Sequence, residues 1–139
     1  MRCNLVDGWK SYTRMKLDQG LISSTGKSFT NYHGRILENF IFNQIRRFTD
    51  DVFYAGDGNW ECDFVIDSHD SQRTQLVQVC WELHKENEER ELEGLVKAMD
   101  LFGKTQGTIV TFSQSDQIRI KDKEITVLPA SVFSCQARN

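Results

Sequence analysis

Apolar residues recur at helical spacing in two long segments of the chain. When successive residues are placed about 100° apart, one arc of residues 34–48 is apolar, and its members are Leu37, Ile41, Phe42, Ile45 and Phe48. Residues 88–102 carry a second stripe at spacings of three and four, formed by Leu92, Leu95, Val96, Met99 and Phe102. Asn87 and Gly103 are predicted to cap this second helix at its start and its end.

Shorter segments rich in β-branched and aromatic residues predict strands between and after the helices. They cover residues 52–54, 61–67, 75–83 and 108–112, followed by a hairpin of 117–120 and 124–128. The order is therefore helix, three strands, helix, strand and hairpin, with an antiparallel meander before a helical crossover. This order predicts an α/β (α+β) domain of three layers over residues 34–139.

Residues 1–33 are predicted to be an irregular lead-in, because they hold several glycines and many serines and threonines but only short apolar pieces. The stretch 20–28 resembles a phosphate-binding loop. It has one residue too many between its glycines, and it lacks the flanking buried strand and amphipathic helix that such a loop requires. A flexible loop is therefore predicted here, and no nucleotide is expected to bind to this chain.

The alternation of side chains along a strand predicts which polar residues share a face. In 61–67 one face carries Glu61, Asp63 and Val65, and the other carries Cys62, Phe64 and Ile66. In 75–83 the apolar face is formed by Val77, Val79, Trp81 and Leu83, and the reverse face by Leu76, Gln78, Cys80 and Glu82. Gln78 and Cys80 are thus predicted to point the same way.

Glu38 is the most unusual charge in the sequence, because it lies inside the apolar arc of the first helix between Leu37 and Phe42. A carboxylate in this position is predicted to be partly desolvated and to need a partner, a proton or a cation. A glutamate at the helix edge that reaches solvent or pairs with an arginine is an equally open interpretation. The acidic residues 88, 89 and 91 are predicted instead to form a solvated first turn of the second helix, without a chemical role.

Composition favours one soluble globular domain, since the 139 residues are 39% hydrophobic and 27% charged. No apolar run approaches the roughly 18 residues of a membrane span, and no signal peptide precedes the domain. A cytoplasmic protein without a membrane partner is therefore expected. The net charge of -3 predicts that any contact with nucleic acid is local. The favoured interpretation of the basic residues near and on the first helix is a solvated polar face, and the same residues are the candidate phosphate contacts: Lys16, Lys27, Arg35, Arg46 and Arg47.

Cysteine and histidine spacing gives no indication of a zinc site. The four cysteines are widely separated without a Cys-x-x-Cys pair, and the three histidines form no cluster. Reduced thiols are therefore expected.

A helix glutamate, a strand aspartate and two polar residues at i and i+2 of the next strand resemble the site of the PD-(D/E)XK phosphodiesterase superfamily, which has a restriction-endonuclease-like fold. More closely, the chain resembles the nuclease-like C-terminal domain of prokaryotic AAA-type ATPases. The segments that carry the resemblance are 18–21, 34–39, 61–65, 76–81 and 107–111. The resemblance implies that residues 1–33 are the remnant of a connection to an upstream ATPase domain.

The resemblance also implies roles for four residues. Glu38 and Asp63 correspond to acidic ligands of Mg²⁺, Gln78 stands in the place of a further acidic ligand, and Cys80 stands in the place of the lysine. The carbonyl oxygen of Gln78 is neutral, and a thiol cannot replace an ammonium group. Both residues also fit a plain structural interpretation, in which Cys80 is a small buried hydrophobe and Gln78 bonds to Glu38 or the backbone. Lys27 and Lys85 are candidates for a substitute amine.

The resemblance, with Gln78 and Cys80 in place of an acid and a lysine, implies a nuclease-like accessory domain of an ATPase that has a degenerate metal site and couples to DNA or to a protein partner. Two alternatives stay open. The first is an active Mg²⁺-dependent DNA phosphodiesterase that uses Glu38 and Asp63. The second is an oligomerisation or protein-interaction module. In the module, Trp60 and Trp81 would supply the interface, although both also fit the core. The sequence leaves the oligomeric state open.

Overall fold

The computed structural model describes residues 13–16, 32–67 and 73–136, with side chains placed over 32–67 and 73–133. The elements in chain order are β1 (Thr13–Lys16), α1 (Tyr32–Arg46), β2 (Val52–Gly56), β3 (Glu61–Ile66), β4 (Gln75–Val79), α2 (Glu88–Phe102), β5 (Gln106–Thr111), β6 (Asp116–Ile120), β7 (Lys123–Pro129) and α3 (Ala130–Gln136). The strands form one sheet in the order β1-β2-β3-β4-β5-β7-β6. None of the helices in these ranges is long and apolar enough to cross a membrane.

Helices cover both faces of the sheet, and this confirms the prediction of a three-layer α/β (α+β) domain. The sheet is antiparallel from β1 to β4, parallel from β4 through β5 to β7, and ends in the antiparallel hairpin of β6 and β7. Helices α1 and α3 pack against one face in the α1-side core, which includes Leu37, Ile41, Phe42, Ile45, Phe64, Val77, Val79 and Phe133. Helix α2 packs against the other face in the α2-side core, which includes Cys62, Val65, Leu76, Cys80, Leu95, Met99, Ile109 and Ile125.

Helix α1 buries most of the arc that its sequence predicts. Leu37, Ile41, Phe42 and Ile45 are all buried. Phe48 is 51% exposed, so its predicted place in the core is wrong. The helix ends at Arg46, and the amides of Phe48 and Thr49 both bond to the carbonyl of Ile45. The turn that these bonds close takes Phe48 off the helical arc.

Helix α2 has the bounds that the sequence predicts, and its end is capped as expected by Gly103 in the left-handed region at φ 63. The predicted side-chain cap at Asn87 is wrong. The Asn87 Oδ1 accepts a bond of 2.9 Å from the amide of His84, and its Nδ2 donates a bond of 2.8 Å to the carbonyl of Glu82. The carboxamide therefore organises the loop before the helix instead of the first turn.

The expectation of an irregular lead-in does not hold for residues 13–16, which form β1 and pair antiparallel with β2. Residues 1–12 and 17–31 lie outside the described residues, and with them the glycine-rich stretch 20–28 and Lys27. Trp60 and Trp81 are both partly buried and pack against the α2-side and α1-side cores respectively. Their packing agrees with the interpretation of both tryptophans as core residues.

A β-bulge interrupts β3 and changes which side chains share a face. Phe53 pairs with Val65 and Ala55 pairs with Cys62, so a two-residue step on β2 spans three residues on β3. Cys62 consequently lies in the α2-side core while Phe64 lies in the α1-side core. The predicted common face for these two residues is therefore wrong, because the extra residue breaks the two-residue period.

Candidate functional site

Side chains from four elements line one cavity of about 190 Å³, here named the carboxylate pocket. Four of its carboxylates are Glu38 of α1, Glu61 and Asp63 of β3, and Glu91 of α2, and the fifth, Glu93, is half exposed and pairs with Lys97. Gln78 of β4 lies among them. The remaining lining residues are Asn59, Trp60, Val79, Arg90 and Gly94. Three of the four site residues predicted from the sequence, Glu38, Asp63 and Gln78, thus line the same cavity.

Asp63 and Gln78 hold each other across β3 and β4 at the bulge. The amide of Asp63 donates to Gln78 Oε1 at 3.1 Å, and the amide of Val79 donates to Asp63 Oδ2 at 2.8 Å. The regular β3–β4 pairs begin one residue later, at Phe64 and Val77. The two side chains therefore satisfy backbone amides where the regular pairing stops.

The other end of the Gln78 side chain bonds to α2. Gln78 Nε2 donates to Glu91 Oε2 at 2.9 Å, and Arg90 donates to the second oxygen of Glu91, also at 2.9 Å. Gln78 therefore bonds to the backbone, as the structural interpretation allows, and to Glu91 instead of Glu38. Both functional groups of the amide are used.

Close packing at Gly94 fixes the position of α2 above the pocket. A Cβ atom built on Gly94 would lie 2.2 Å from the carbonyl oxygen of Glu61. Only a residue without a side chain lets the helix approach the backbone of β3 this closely. Glu91 lies almost one turn earlier on the same helix and is thereby brought into the cavity.

Glu38 is a buried carboxylate without a polar partner in the described parts of the chain. It is 9% exposed and lines the pocket, but it forms no hydrogen bond or ion pair with residues 32–67 or 73–133. Burial, followed by the charges of Glu61 and Glu91, raises its pKa from 4.5 to about 7, and the charge of Arg35 opposes this shift. The sequence-based prediction that this carboxylate is desolvated is confirmed.

Asp63 is perturbed in the same direction. Burial is the main cause, and the charges of Glu38 and Glu91 add to it, so the pKa of Asp63 lies well above its usual value. The bond from the amide of Val79 opposes this shift. The pocket thus concentrates negative charge that Arg90, through its ion pair with Glu91, neutralises only in part.

Glu61 is held at the edge of the pocket by Tyr54. The Tyr54 hydroxyl donates to Glu61 Oε2 at 2.8 Å. Burial raises the pKa of Tyr54, and the bond to Glu61 raises it further. Tyr54 is therefore a neutral hydrogen-bond donor at physiological pH.

Cys80, the fourth predicted site residue, lies outside the pocket. Its side chain is buried in the α2-side core, and its amide donates to the carbonyl of Val110 at 3.0 Å. Burial, with the nearby charges of Glu91 and Asp63, raises the pKa of its thiol to about 12. Cys80 is therefore a neutral thiol. Strand β4 ends at Val79, and Cys80 packs beneath α2 instead of joining the other three residues in the pocket.

No lysine lines the carboxylate pocket as the described residues form it. Lys85 is exposed in the loop before α2, and Lys27 lies outside the described residues. The basic side chain among the lining residues is Arg90, which is 71% exposed at the rim.

Glu91 and Glu61 are the pocket residues that sequence reasoning missed. The prediction that residue 91 belongs to a solvated turn is wrong, because Glu91 is 7% exposed. Its signal was present in the sequence, since Glu91 lies four residues before Leu95 and eight before Met99 on the buried stripe of α2. Glu61 was assigned to the face of Asp63, but its tyrosine partner comes from another strand and left no local signal.

The donor chemistry of the pocket fits a hard divalent cation. Mg²⁺ prefers carboxylate and carbonyl oxygens, which line the cavity on several sides. An unpartnered buried carboxylate such as Glu38 gains most from such an ion. Within residues 32–67 and 73–133, no three acidic, histidine or cysteine side chains already surround a common point. Binding therefore requires the flexible glutamate side chains to rotate toward the ion.

The fold and the pocket define a class: a three-layer α+β domain with a buried cluster of carboxylates between the sheet and its helices. No family model matches the chain, and no solved structure matches it. The chain is similar to an uncharacterised protein of Methanocaldococcus jannaschii, with 33% identity over 129 residues. The match covers 86% of this chain and 28% of the relative, so the chain spans little more than a quarter of that protein's length.

Proposed function

We propose that this chain is a nuclease-like accessory domain of a larger cytoplasmic ATPase, in which it couples the ATPase to DNA or to a protein partner. Its carboxylate pocket holds Mg²⁺ but does not cleave phosphodiesters. The observation that carries the proposal is the contrast between Glu38 and Asp63, which share the pocket, and Cys80, which is buried outside it. The much greater length of the similar archaeal protein is consistent with a place in a larger chain.

The acids of the pocket support cation binding. Glu38 and Asp63 come from distant parts of the sequence, and burial together with the charges of neighbouring acids raises the pKa of both carboxyl groups. A divalent cation relieves this repulsion and satisfies the buried oxygens of Glu38. In this role Asp63 would hold the ion with one oxygen while the amide of Val79 keeps the other in place.

The absence of an amine at the strand position supports a binding role over a catalytic one. In the nucleases that the sequence resembles, a lysine adds positive charge to the transition state and orients the attacking water. The residue in that place here is Cys80, a neutral thiol in the α2-side core. Gln78 has both ends of its amide engaged in hydrogen bonds, so it is an organising residue and not a proton carrier.

The test measures ion binding and cleavage on the same protein. Mg²⁺ or Mn²⁺ is added in increasing concentration and thermal unfolding is measured at each step. The melting temperature of the wild type is expected to rise, because a ligand that binds only the folded state stabilises it. Asp63→Asn is expected to lose this response. Glu89→Gln, at an exposed position of α2 outside the pocket, is expected to keep it. Supercoiled plasmid incubated with either metal is expected to stay intact. A wild type that shows no response to either metal would exclude the cation-binding role.

An active Mg²⁺-dependent phosphodiesterase is the second candidate, and Arg90 favours it. This guanidinium lines the pocket rim next to Glu91 and has most of its surface in solvent, so it is able to approach a phosphate and supply the charge that Cys80 does not. This candidate predicts metal-dependent nicking by the wild type that is lost in both Asp63→Asn and Arg90→Ala. Such a result would replace the accessory role with catalysis.

A further inference from the structure

The geometry points to an exchange of roles between β4 and α2: Glu91 supplies the acidic ligand that the strand lacks at position 78, and Gln78 is the positioning residue that holds it. This inference rests on the proposed function, because it concerns the same pocket. It adds a residue that the sequence assigned to solvent, and it gives the neutral amide of Gln78 a role.

Glu91 satisfies the structural requirements of a ligand better than any other acid of α2. It is 7% exposed and lines the cavity, whereas Glu89 is exposed and outside it. Glu93 also lines the cavity, but it is exposed and pairs with Lys97. The tight contact at Gly94 keeps this part of the helix against β3. A carboxylate on a rigid element beside the strand acids can serve the same ion as they do.

Gln78 directs the charge of Glu91 instead of carrying a charge itself. Its Oε1 accepts a bond from the amide of Asp63, and its Nε2 donates to Glu91 Oε2 at 2.9 Å. One side chain therefore links the backbone of one acidic residue to the carboxylate of the other. Partners that orient the ligands of a metal act in this way, and their loss typically weakens metal binding by about 10- to 100-fold.

An independent observation supports a cation in this cluster. Glu38 is 9% exposed, faces the same cavity and has no hydrogen-bond or ion-pair partner in the described part of the chain. An ionised carboxylate buried in this way is strongly unfavourable unless it is paired or bound to a metal. Glu38, Asp63 and Glu91, from three different elements, together provide the hard oxygen donors that Mg²⁺ or Mn²⁺ uses.

The existing bonds of Glu91 leave room for an ion. An ionised carboxylate has about four acceptor positions, and Glu91 uses one on each oxygen, for Gln78 and for Arg90. The Arg90 side chain is 71% exposed, so this ion pair is weak and open to exchange. A divalent cation can therefore share the carboxylate while Gln78 retains its bond.

The exchange of roles suggests an exchange of residues as the test. The double variant Gln78→Glu with Glu91→Gln keeps the net charge. Its hydrogen bonds can re-form, because the new Glu side chain at position 78 still accepts from the amide of Asp63 and the new Gln side chain at position 91 donates to position 78. The readout is Mn²⁺ affinity measured by calorimetry on the folded protein, with a circular dichroism spectrum as the check on folding.

Glu91→Gln alone is expected to weaken Mn²⁺ binding by at least tenfold, and the matched control Glu89→Gln is expected to leave it unchanged. The double variant is expected to recover most of the affinity, because it returns the acid to the strand. Suppose that Glu91→Gln binds Mn²⁺ as tightly as the wild type while Asp63→Asn does not bind it. That result would overturn this inference and leave the proposed function intact. A wild type that binds no Mn²⁺ would overturn both.

Discussion

Glu38 of α1 and Glu91 of α2 are two buried glutamates of the same pocket with opposite surroundings. Glu91 has a partner for each oxygen, Gln78 within the pocket and Arg90 at its rim. Glu38 is buried to a similar extent, but it forms no hydrogen bond or ion pair with the residues that the structure describes. Each glutamate is held by a helix on a different face of the sheet.

The difference separates the structural part of the pocket from the part that needs a ligand. A buried carboxylate with two hydrogen-bond donors is a stable component of the fold. A buried carboxylate without donors destabilises the fold when it is ionised, and it persists where a bound ion or a proton compensates for it. The four predictions below alter one side of this comparison at a time, in order of expected effect.

Gly94→Ala is expected to have the largest effect, because it displaces the helix that carries Glu91 and leaves α1 in place. The new Cβ would lie 2.2 Å from the carbonyl oxygen of Glu61, so α2 has to move. We expect a loss of about 3 kcal/mol in the free energy of unfolding, measured in urea. Glu89→Ala on the exposed face of α2 is the control and should change it little. An equally stable Gly94→Ala would show that the helix does not depend on this contact.

Glu38→Gln is expected to stabilise the protein, with an effect that depends on pH. The pKa of Glu38 rises from its ordinary value of 4.5 in the unfolded chain to about 7 in the folded protein, so the folded state binds the proton more tightly. The stability due to this proton is present below pH 4.5 and is lost as the pH rises through about 7. The amide avoids that loss, and we expect a gain of about 2 kcal/mol at pH 8 and almost none at pH 4.

Urea titrations at the two pH values measure this difference directly. Saturating Mn²⁺ at pH 8 is expected to stabilise the wild type and not Glu38→Gln, so that the two proteins approach the same stability. If the free energy of unfolding of the wild type rises relative to that of Glu38→Gln as the pH increases, the assignment of Glu38 as an unpartnered acid is contradicted.

Gln78→Ala removes the partner of Glu91 inside the pocket. It leaves the amide of Asp63 and the carboxylate of Glu91 each without one bond. We expect a loss of about 1.5 kcal/mol, since each buried group left unsatisfied destabilises the fold. Gln75→Ala, at an exposed position of the same strand, should be close to neutral. If both substitutions have the same effect, Gln78 does not hold the pocket together.

Arg90→Ala removes the other partner of Glu91 and is expected to have the smallest effect. The guanidinium is 71% exposed, and ion pairs of this kind contribute about 0.5 kcal/mol. The loss should decrease at high salt, because solvent-exposed charges are screened. A loss as large as that of Gln78→Ala would place Arg90 within the structural part of the pocket.

Local pattern gave most of the elements and part of the pocket. The 88–102 helix and the hairpin near the C-terminus follow from hydrophobic period and turn residues, and the structure confirms them. The apolar face predicted for 75–83 is confirmed for Val77, Val79 and Trp81 but not for Leu83, which packs against the α2-side core because β4 ends at Val79. The burial of Glu38 could be predicted because its neighbours on the helix are apolar. These features depend on residues within one or two turns of each other.

Other features depend on contacts between distant segments and could not be predicted. The bulge in β3 arises from its pairing with β2 and moves Cys62 away from the face of Phe64. Glu91 is buried because Gly94 lets α2 lie directly on the backbone of Glu61. Cys80 follows the pattern of its strand, yet it packs beneath α2 outside the cavity.

The sequence by itself determined the three-layer architecture and the presence of one misplaced acid on α1, because both are encoded in the period of apolar residues. The tertiary structure alone decided which charges share the pocket and which of them have partners. Hydrogen bonding and desolvation depend on distances of a few ångströms between α1, β3, β4 and α2, and sequence separation carries no information about those distances.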